Sequence, residues 1–415
     1  MSPSLPPSSR SRLSGGSAIG REAPPTTVVW DPAMTAYDFG PTHPMAPARL
    51  ELTARLAQDL GILYRPHLTV LAPDLATDEE LARVHSRSYI ESVHRVSEDP
   101  ASPLPLLGLG TEDDPAFAGM HEAAARLAGA SLLAADRILS GDAVHAVNFG
   151  GGMHHAARDK ASGFSIYNDA ALAITRLLDG GLERVVYIDV DAHHGDGTQG
   201  IFWNDPRVLT VSLHESGQTL FPGTGFANET GGPNAPGGAV NIAVPAGTAD
   251  AGWLRAFHSV VPAVVREFGP QAIVSQHGAD SHRDDPLSNL EVTVDGQREV
   301  MNSVAALAQR HCGGRWIATG GGGYNVHSVV PRSWTHLVAI ASGRSLPVST
   351  PVPEGWAEKV RQDFGVAAPE TMGDGVDIWW RSWETGYDPS NPVDRSIMAT
   401  RKEVFPLFGL DPWFD

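Results

Sequence analysis

The sequence contains little cysteine and no long apolar run. Among its 415 residues there is one cysteine, Cys312. A single cysteine can form neither an intrachain disulfide nor a multi-cysteine metal site, and its place before two glycines favours a structural residue over a nucleophile. No apolar stretch approaches the roughly 20 residues that a membrane-spanning helix needs. We therefore expect neither a disulfide framework nor a membrane protein.

The motifs of several common enzyme classes are also missing. The chain has no His-Glu-x-x-His and no Gly-x-Ser-x-Gly, which argues against a zincin-type or serine hydrolase. Gly195–Gly200 does fit Gly-x-Gly-x-x-Gly after a predicted strand. However, the anionic side chains of Asp191 and Asp196 would face the pyrophosphate there, so we reject a dinucleotide-binding site.

Charge and the N-terminal composition narrow the possible partners and compartment. The formal net charge of −18 opposes binding to nucleic acid and suits a cationic partner, although acidic enzymes are common. Residues 1–25 are rich in Ser, Pro and Gly and lack the apolar core of a signal peptide. We expect a disordered leader over 1–25 and a cytoplasmic protein. The oligomeric state stays open.

Short apolar runs alternate with helical patterns along most of the chain. The predicted strands are Thr27–Trp30, Val144–Phe149, Arg184–Asp191, Val208–His214, Ala239–Val244, Ala272–His277 and Arg315–Thr319. The predicted helices are Pro47–Leu60, Gly119–Leu139, Ala170–Leu178, Ala251–Phe268, Val294–Arg310 and Val329–Ala341. Strands that are apolar almost throughout are typical of a parallel sheet covered on both faces. We expect one α/β domain over 26–345 and a Trp-rich extension over 346–415 that packs back onto it.

Polar, Gly-rich segments follow five of the predicted strands. They are Gly150–His155, Asp189–Gly197, Phe221–Gly225, Gly278–Asp280 and Gly320–Asn325. Ligands of open α/β sheets bind beyond the carboxyl ends of the strands, so these segments are expected to converge on one mouth.

The segment after the third predicted strand has the residues of a metal site. Asp191 and His193 are two apart in an extended segment, so their side chains share a face. Asp280, from another strand end, is the natural third ligand. Carboxylate oxygen and imidazole nitrogen are zinc ligands, and a catalytic site takes three protein ligands plus water. The sequence therefore predicts a metal ion at this mouth.

Two adjacent histidines and a tyrosine add groups that move protons. His154 and His155 follow three glycines, and an imidazole near a metal can serve as general base. Such a ring needs an orienting carboxylate, for which Asp189 and Asp196 are candidates. Tyr324 follows four glycines, and its hydroxyl can donate to a developing oxyanion, although a packed aromatic is the simpler alternative.

Together these segments resemble the histone deacetylase family (class I-like), and within it the bacterial acetoin utilization proteins. The similarity runs from about Trp30 to Gly343 and also includes Gly40–Arg49, Gly108–Pro115 and Ala161–Asp169. It implies an open arginase-like α/β fold with a mostly parallel sheet of about eight strands flanked by helices. It further implies a zinc-dependent hydrolase that removes acetyl groups from protein acetyl-lysine and releases acetate.

The resemblance also implies roles for single residues. The implied zinc (Zn²⁺) ligands are Asp191, His193 and Asp280. The implied general base is His155, which Asp196 orients. His154, paired with Asp189, is implied to help hold charge and protonate the amine. Tyr324 is implied to polarise the acetyl carbonyl.

Substrate and potassium contacts are implied in the same way. The implied substrate-binding residues are Phe164 and Phe221 beside the lysine stem, Asp113 at the rim, Gly152 and Leu287. Arg49 matches a buried arginine near an acetate exit. A structural potassium ion (K⁺) is implied around Asp189, Asp191, His193, Ser212 and Leu213.

The sequence leaves several alternatives open for the substrate, the metal and the reaction. Leu287 stands where the polyamine-specific branch carries a glutamate, which favours acetyl-lysine over acetylpolyamine. Met153 and His277 depart from the common pattern and are candidates for a changed acyl-chain preference. A small-amide deacetylase, a two-metal ureohydrolase on the same fold and a catalytically inactive binding protein are alternatives, and iron(II) could replace zinc. The implied partner is an acetylated protein, with an acyl-CoA synthetase as the candidate.

Overall fold

Eight parallel strands form one sheet in the computed structural model, which describes residues 23–415. The strands are β1 (Thr26–Val29), β2 (Leu68–Leu71), β3 (His145–Asn148), β4 (Val185–Asp189), β5 (Val208–Glu215), β6 (Ala239–Val244), β7 (Ala272–Gln276) and β8 (Trp316–Thr319). Their spatial order is β2-β1-β3-β8-β7-β4-β5-β6. The predicted α/β class with a parallel sheet is confirmed. Most of the predicted leader, residues 1–22, lies outside the described part.

Burial explains which strands the sequence revealed. Every residue of β3, β4, β7 and β8 is buried, which matches their unbroken apolar runs. Strand β2 was not predicted, because it is a four-residue edge strand and two of its residues are exposed. Its pairing with β1 comes from the tertiary structure and not from a local pattern.

Helices cover both faces of the sheet. They are α1 (Ala48–Asp59), α2 (Asp78–Leu81), α3 (Arg87–Glu98), α4 (Met120–Ser140), α5 (Asp169–Asp179), α6 (Asp196–Phe202), α7 (Asp250–Phe268), α8 (Val294–His311), α9 (Val329–Ala341), α10 (Glu354–Phe364) and α11 (Pro392–Val404). The six predicted helices are present, whereas α2, α3, α6, α10 and α11 were not predicted. Among residues 23–415, no helix combines the length and apolarity needed to cross a bilayer.

The C-terminal segment packs on the sheet domain through buried polar contacts. Helix α11 begins after Asn391, whose side chain accepts hydrogen bonds from the first turn. Arg255 of α7 donates to both carboxylate oxygens of Asp394 on α11, at 2.6 and 2.8 Å. Trp356 of α10 is buried and donates from its indole to the carbonyl of Leu52. Helices α10 and α11 are thus joined to different parts of the sheet domain.

The strand register places the polar segments at one edge. Asp189, at the end of β4, lies opposite Ser212 of β5 and Gln276 of β7. Asn148, at the end of β3, lies opposite Thr319 of β8. Because all strands are parallel, the segments that leave β3, β4, β5, β7 and β8 emerge together at the carboxyl edge.

Candidate active site

A cavity of about 240 Å³ opens at this carboxyl edge. Its lining residues come from six loops and are Asp113, His155, Gly163, Phe164, His193, Leu220, Phe221, Leu287 and Tyr324. The walls are mainly apolar, and the polar groups gather at the imidazoles and the phenol. This is the usual composition of a site for an extended apolar ligand with one polar end.

The two adjacent histidines are each held by a separate carboxylate. His154 Nδ1–H donates to Asp189 Oδ2 at 2.7 Å, and His155 Nδ1–H donates to Asp196 Oδ1 at 2.7 Å. The two Nε2 atoms face each other at 3.0 Å, so one of them must carry the proton between them. His155 also reaches the cavity, whereas His154 lies behind it.

The surroundings give the two imidazoles opposite protonation states. Burial alone would lower the pKa of His154, but the charges of Asp189 and Asp191 outweigh it and raise the pKa to about 9. Burial, together with the charge of His154, lowers the pKa of His155 to about 4. These pKa shifts favour an imidazolium at His154 and a neutral ring at His155 that can accept a proton.

The three predicted metal ligands meet below the histidine pair. Asp191, His193 and Asp280 are all buried, and each offers a ligand atom within 4.8 Å of the others. His193 Nδ1 lies 3.2 Å from Asp191 Oδ1 and 3.0 Å from Asp280 Oδ2. Burial and the charge of Asp191 raise the pKa of Asp280 to about 7. Two carboxylates buried side by side need a neighbouring cation to be stable in the charged form.

A side-chain amide and a backbone N–H hold the Asp191 carboxylate in place. Gln276 Nε2 and the backbone N–H of Gly322 donate to Asp191 Oδ2 at 2.6 and 2.9 Å. Gly278 is required beside them, because a Cβ atom there would lie 2.0 Å from the same oxygen. The glycine after β7 is thus explained by close approach of the backbone to Asp191.

Tyr324 lines the cavity, and the buried Arg49 lies next to it. The backbone N–H of Tyr324 donates to Asp285 Oδ2 at 2.7 Å, which fixes the end of the four-glycine segment. Burial, with the charges of Asp280 and Asp191, raises the pKa of the Tyr324 phenol. Arg49 is buried and donates to the carbonyls of Gly321 and Gly323. The phenol therefore stays protonated and can act as a donor.

Aromatic rings form the two walls. Phe221 packs edge-on against His155 with ring centroids 5.0 Å apart, and Phe164 packs edge-on against Tyr324 at 5.6 Å. Phe164 has a φ of 66°, a left-handed conformation that is uncommon for a bulky residue. Asp113 and Leu287 line the cavity further out.

The remaining predicted residues lie around this centre. Gly152, with a φ of 94°, lies against the backbone of Gly320, where a Cβ would be 2.4 Å from its carbonyl oxygen. Ser212 Oγ is 2.8 Å from His214 Nδ1, and Ser212 pairs in register with Asp189. Leu213 is buried in the same strand. Ser212 therefore lies beside the end of β4, and Gly152 lies in the loop that follows β3.

Comparison with known proteins places the chain in a family. The histone deacetylase domain profile matches residues 43–341, which is more than half of the chain. The chain belongs to the histone deacetylase family. It is 40% identical over 380 residues to the acetoin utilization protein AcuC of Bacillus subtilis, covering 90% of this chain and 97% of that protein. It is 39% identical over 336 residues to AcuC of Staphylococcus xylosus, covering 80% and 86%. This assigns the chain to the deacetylases, which hydrolyse acetyl amides.

Three buried residues that support this deacetylase site were not predicted. Asp169 accepts hydrogen bonds from the backbone N–H groups of Gly152 and Met153, at 2.9 and 2.8 Å, and thereby shapes the loop before His154. Gln276 donates a hydrogen bond to Asp191, and Asp285 accepts one from the backbone N–H of Tyr324. The sequence offered one signal, a glutamine at the end of the mostly apolar strand β7, because glutamine side chains are usually exposed.

Two residues singled out in the sequence lie away from the cavity. His277 contacts Ser275 Oγ at 2.8 Å and packs against Trp316, so its ring does not line the cavity. Cys312 is buried at the end of α8, where burial raises the pKa of its thiol to about 12. Neither side chain is placed to contact a substrate in the cavity.

Proposed function

We propose that the chain is a zinc-dependent deacetylase that hydrolyses the acetyl-lysine side chains of proteins. The observation that carries this proposal is the pair of imidazoles, each on its own carboxylate and with Nε2 atoms 3.0 Å apart, beside the buried trio. A neutral base and a protonated phenol thus face one cavity, and a charged donor lies behind the base. These are the groups that hydrolysis of an unactivated amide requires.

The trio fits zinc by its donor set and spacing. Asp191, His193 and Asp280 would hold the ion through two carboxylates and an imidazole. Ligands at about 2.0–2.1 Å in a tetrahedron lie about 3.3 Å apart. The separations of 3.2 and 3.0 Å between His193 Nδ1 and the carboxylate oxygens agree with that spacing. Zinc bound there supplies a Lewis acid, which lowers the pKa of a water molecule to near 7 and polarises a carbonyl group.

The histidines move the protons of the reaction. Neutral His155 accepts a proton at Nε2, in place of its hydrogen bond from His154, as water attacks the acetyl carbon, and Asp196 stabilises the imidazolium that forms. His154, charged beside Asp189, favours return of a proton to the departing amine. The balanced reaction takes one water and one acetyl amide and gives acetate and a protonated amine.

Tyr324 stabilises the charge that develops on the acetyl oxygen. Its hydroxyl keeps its proton at neutral pH, because burial and the charges of Asp280 and Asp191 raise its pKa. A donor in a buried site is worth more than one in water, since water does not compete for the oxyanion. We infer that Arg49, whose guanidinium lies 6.0 Å from the centre of the Tyr324 ring, receives the departing acetate.

The cavity walls support a lysine stem as the ligand. Phe164 and Phe221 offer apolar faces to a chain of methylene groups. Asp113 is exposed at the rim, where it can accept hydrogen bonds from backbone amides of a bound peptide. Leu287 puts an apolar group at the mouth, so a second ammonium group, as in a polyamine, gains no ion pair from this position.

The potassium ion and the physiological partner are further parts of the proposal. Asp189, Asp191, His193, Ser212 and Leu213 would hold K⁺, supported by the pairing of Asp189 with Ser212 in adjacent strands. Removing K⁺ should then lower the thermal midpoint of unfolding.

An acyl-CoA synthetase acetylated on lysine is the proposed partner, and loss of its acetyl groups on incubation with this chain would test that choice.

The proposal is tested by turnover on three substrates. The purified chain, loaded with zinc, is given an acetyl-lysine peptide, an acetylpolyamine and a guanidino compound such as arginine. We expect acetate from the peptide above all, and loss of activity with a chelator that zinc restores. Preference for the acetylpolyamine would replace the protein substrate by a small amine. Urea from the guanidino compound would support a two-metal ureohydrolase instead.

A further inference from the structure

Two histidines and an aspartate from three helices meet outside the cavity. Asp78 is the first residue of α2, His94 lies on α3 and His121 lies in the first turn of α4. Each offers a ligand atom, and these atoms all lie within 4.8 Å of one another. None of the three lines the cavity, and none takes part in the proposed deacetylation.

Both imidazoles direct the same nitrogen at one carboxylate oxygen. Asp78 Oδ1 lies 3.0 Å from His94 Nε2 and 3.9 Å from His121 Nε2. The two rings stack with centroids 3.6 Å apart and planes at 26°. Two imidazolium cations stacked so closely would repel each other, so the pair favours neutral rings, which have lone pairs to offer.

A buried hydroxyl orients the inner histidine. His121 Nδ1 is 3.0 Å from the hydroxyl of Tyr167, which is itself buried. A phenol can either donate or accept, so it can take the Nδ1–H of His121 and leave the Nε2 lone pair free. This outer hydrogen bond is the arrangement that fixes the tautomer of metal-ligating histidines.

We propose that Asp78, His94 and His121 form a second, peripheral site for a divalent transition-metal ion such as Zn²⁺. Two imidazoles and one carboxylate suit zinc, cobalt or nickel better than calcium or magnesium, which prefer oxygen ligands. The side chains of Asp78 and His94 are 47% and 36% exposed, so water can complete the coordination. An ion there ties α2, α3 and α4 together and stabilises the folded chain by mass action.

The test counts zinc in a chain whose cavity trio has been disabled. Full-length protein carrying His193→Ala is stripped of metal, dialysed against zinc and analysed for bound zinc and for its thermal midpoint. We expect one zinc ion per chain and a midpoint that rises with zinc. Because the cavity trio is disabled, the result does not depend on whether the chain is a deacetylase.

A second substitution shows where that zinc lies. Adding His94→Ala should remove both the zinc and the thermal shift, whereas His311→Ala, at a partly exposed histidine outside the site, should keep both. If His193→Ala weakens the fold, the wild-type and His94→Ala chains should still differ by one zinc. The proposed peripheral site would be refuted if the His193→Ala chain bound no zinc, or if zinc were retained after His94→Ala.

Discussion

Replacing Tyr324 by phenylalanine removes one oxygen atom from the cavity and leaves its framework in place. The backbone N–H of Tyr324 still donates to Asp285, and its ring still packs edge-on against Phe164. The guanidinium of Arg49, 6.0 Å from the ring centroid, has its own carbonyl partners. We therefore expect the variant to fold as the wild type does.

The expected loss follows from the role of the hydroxyl as an oxyanion donor. Removing one such donor from a buried site costs about 100- to 1000-fold in kcat, or ~2.7–4 kcal/mol. The KM should change little, because the donor acts mainly in the transition state. The assay is steady-state acetate release from an acetyl-lysine peptide.

Tyr64→Phe is the matched control for this experiment. Its hydroxyl is exposed and accepts a hydrogen bond from Gln58, far from the cavity lining. We expect wild-type kinetics from this variant. A Tyr324→Phe kcat within a few-fold of the wild-type value would refute the role given to the phenol.

Three further substitutions test other parts of the account. Leu287→Glu should raise kcat/KM for an acetylpolyamine, relative to kcat/KM for the acetyl-lysine peptide, about fivefold. An exposed pair of opposite charges contributes ~1 kcal/mol, which corresponds to that factor. Gly278→Ala should abolish zinc binding at the cavity and turnover, because its Cβ would lie 2.0 Å from Asp191 Oδ2. Asp374→Ala should lower the free energy of unfolding in urea by ~3 kcal/mol, because it removes the buried partner of Arg332.

Each of these expectations has a control or a contradicting result. An unchanged substrate ratio in Leu287→Glu would remove that residue from the choice of substrate. Gly200→Ala, where a Cβ meets nothing within 4 Å, should keep zinc and turnover. Burial would raise the pKa of Asp374, but His282 and Arg332 outweigh it and lower the pKa. The stability that Asp374 gives to the folded chain should thus be present above about pH 4 and be lost as the pH falls further.

The sequence revealed the strands that carry the candidate site better than it revealed the helices. The strands that carry the site are buried on both faces, so their apolar runs were visible, and their polar ends marked the carboxyl edge. Helix α3 was not predicted, although its buried face includes Tyr89, Ile90 and Val93 and a proline follows its end. The short helix α6 was read as part of the loop after β4.

Contacts between distant residues could not be predicted from local patterns. Asp169 shapes the loop before His154 from 16 and 17 residues away in the chain, through two backbone N–H groups. The stacking of His94 on His121 depends on how α3 packs against α4. Such pairings are set by tertiary packing, and neither residue type nor spacing reveals them.

In the proposed reaction His155 acts as a neutral base beside the Asp191, His193 and Asp280 trio and drives amide hydrolysis. This role is tested by measuring acetate release from an acetyl-lysine peptide by the zinc-loaded wild type and by His155→Ala. We expect turnover in the wild type and a loss of about 100- to 10,000-fold in kcat for the variant, with its zinc retained. Equal turnover in both, or none in the zinc-loaded wild type, would contradict it.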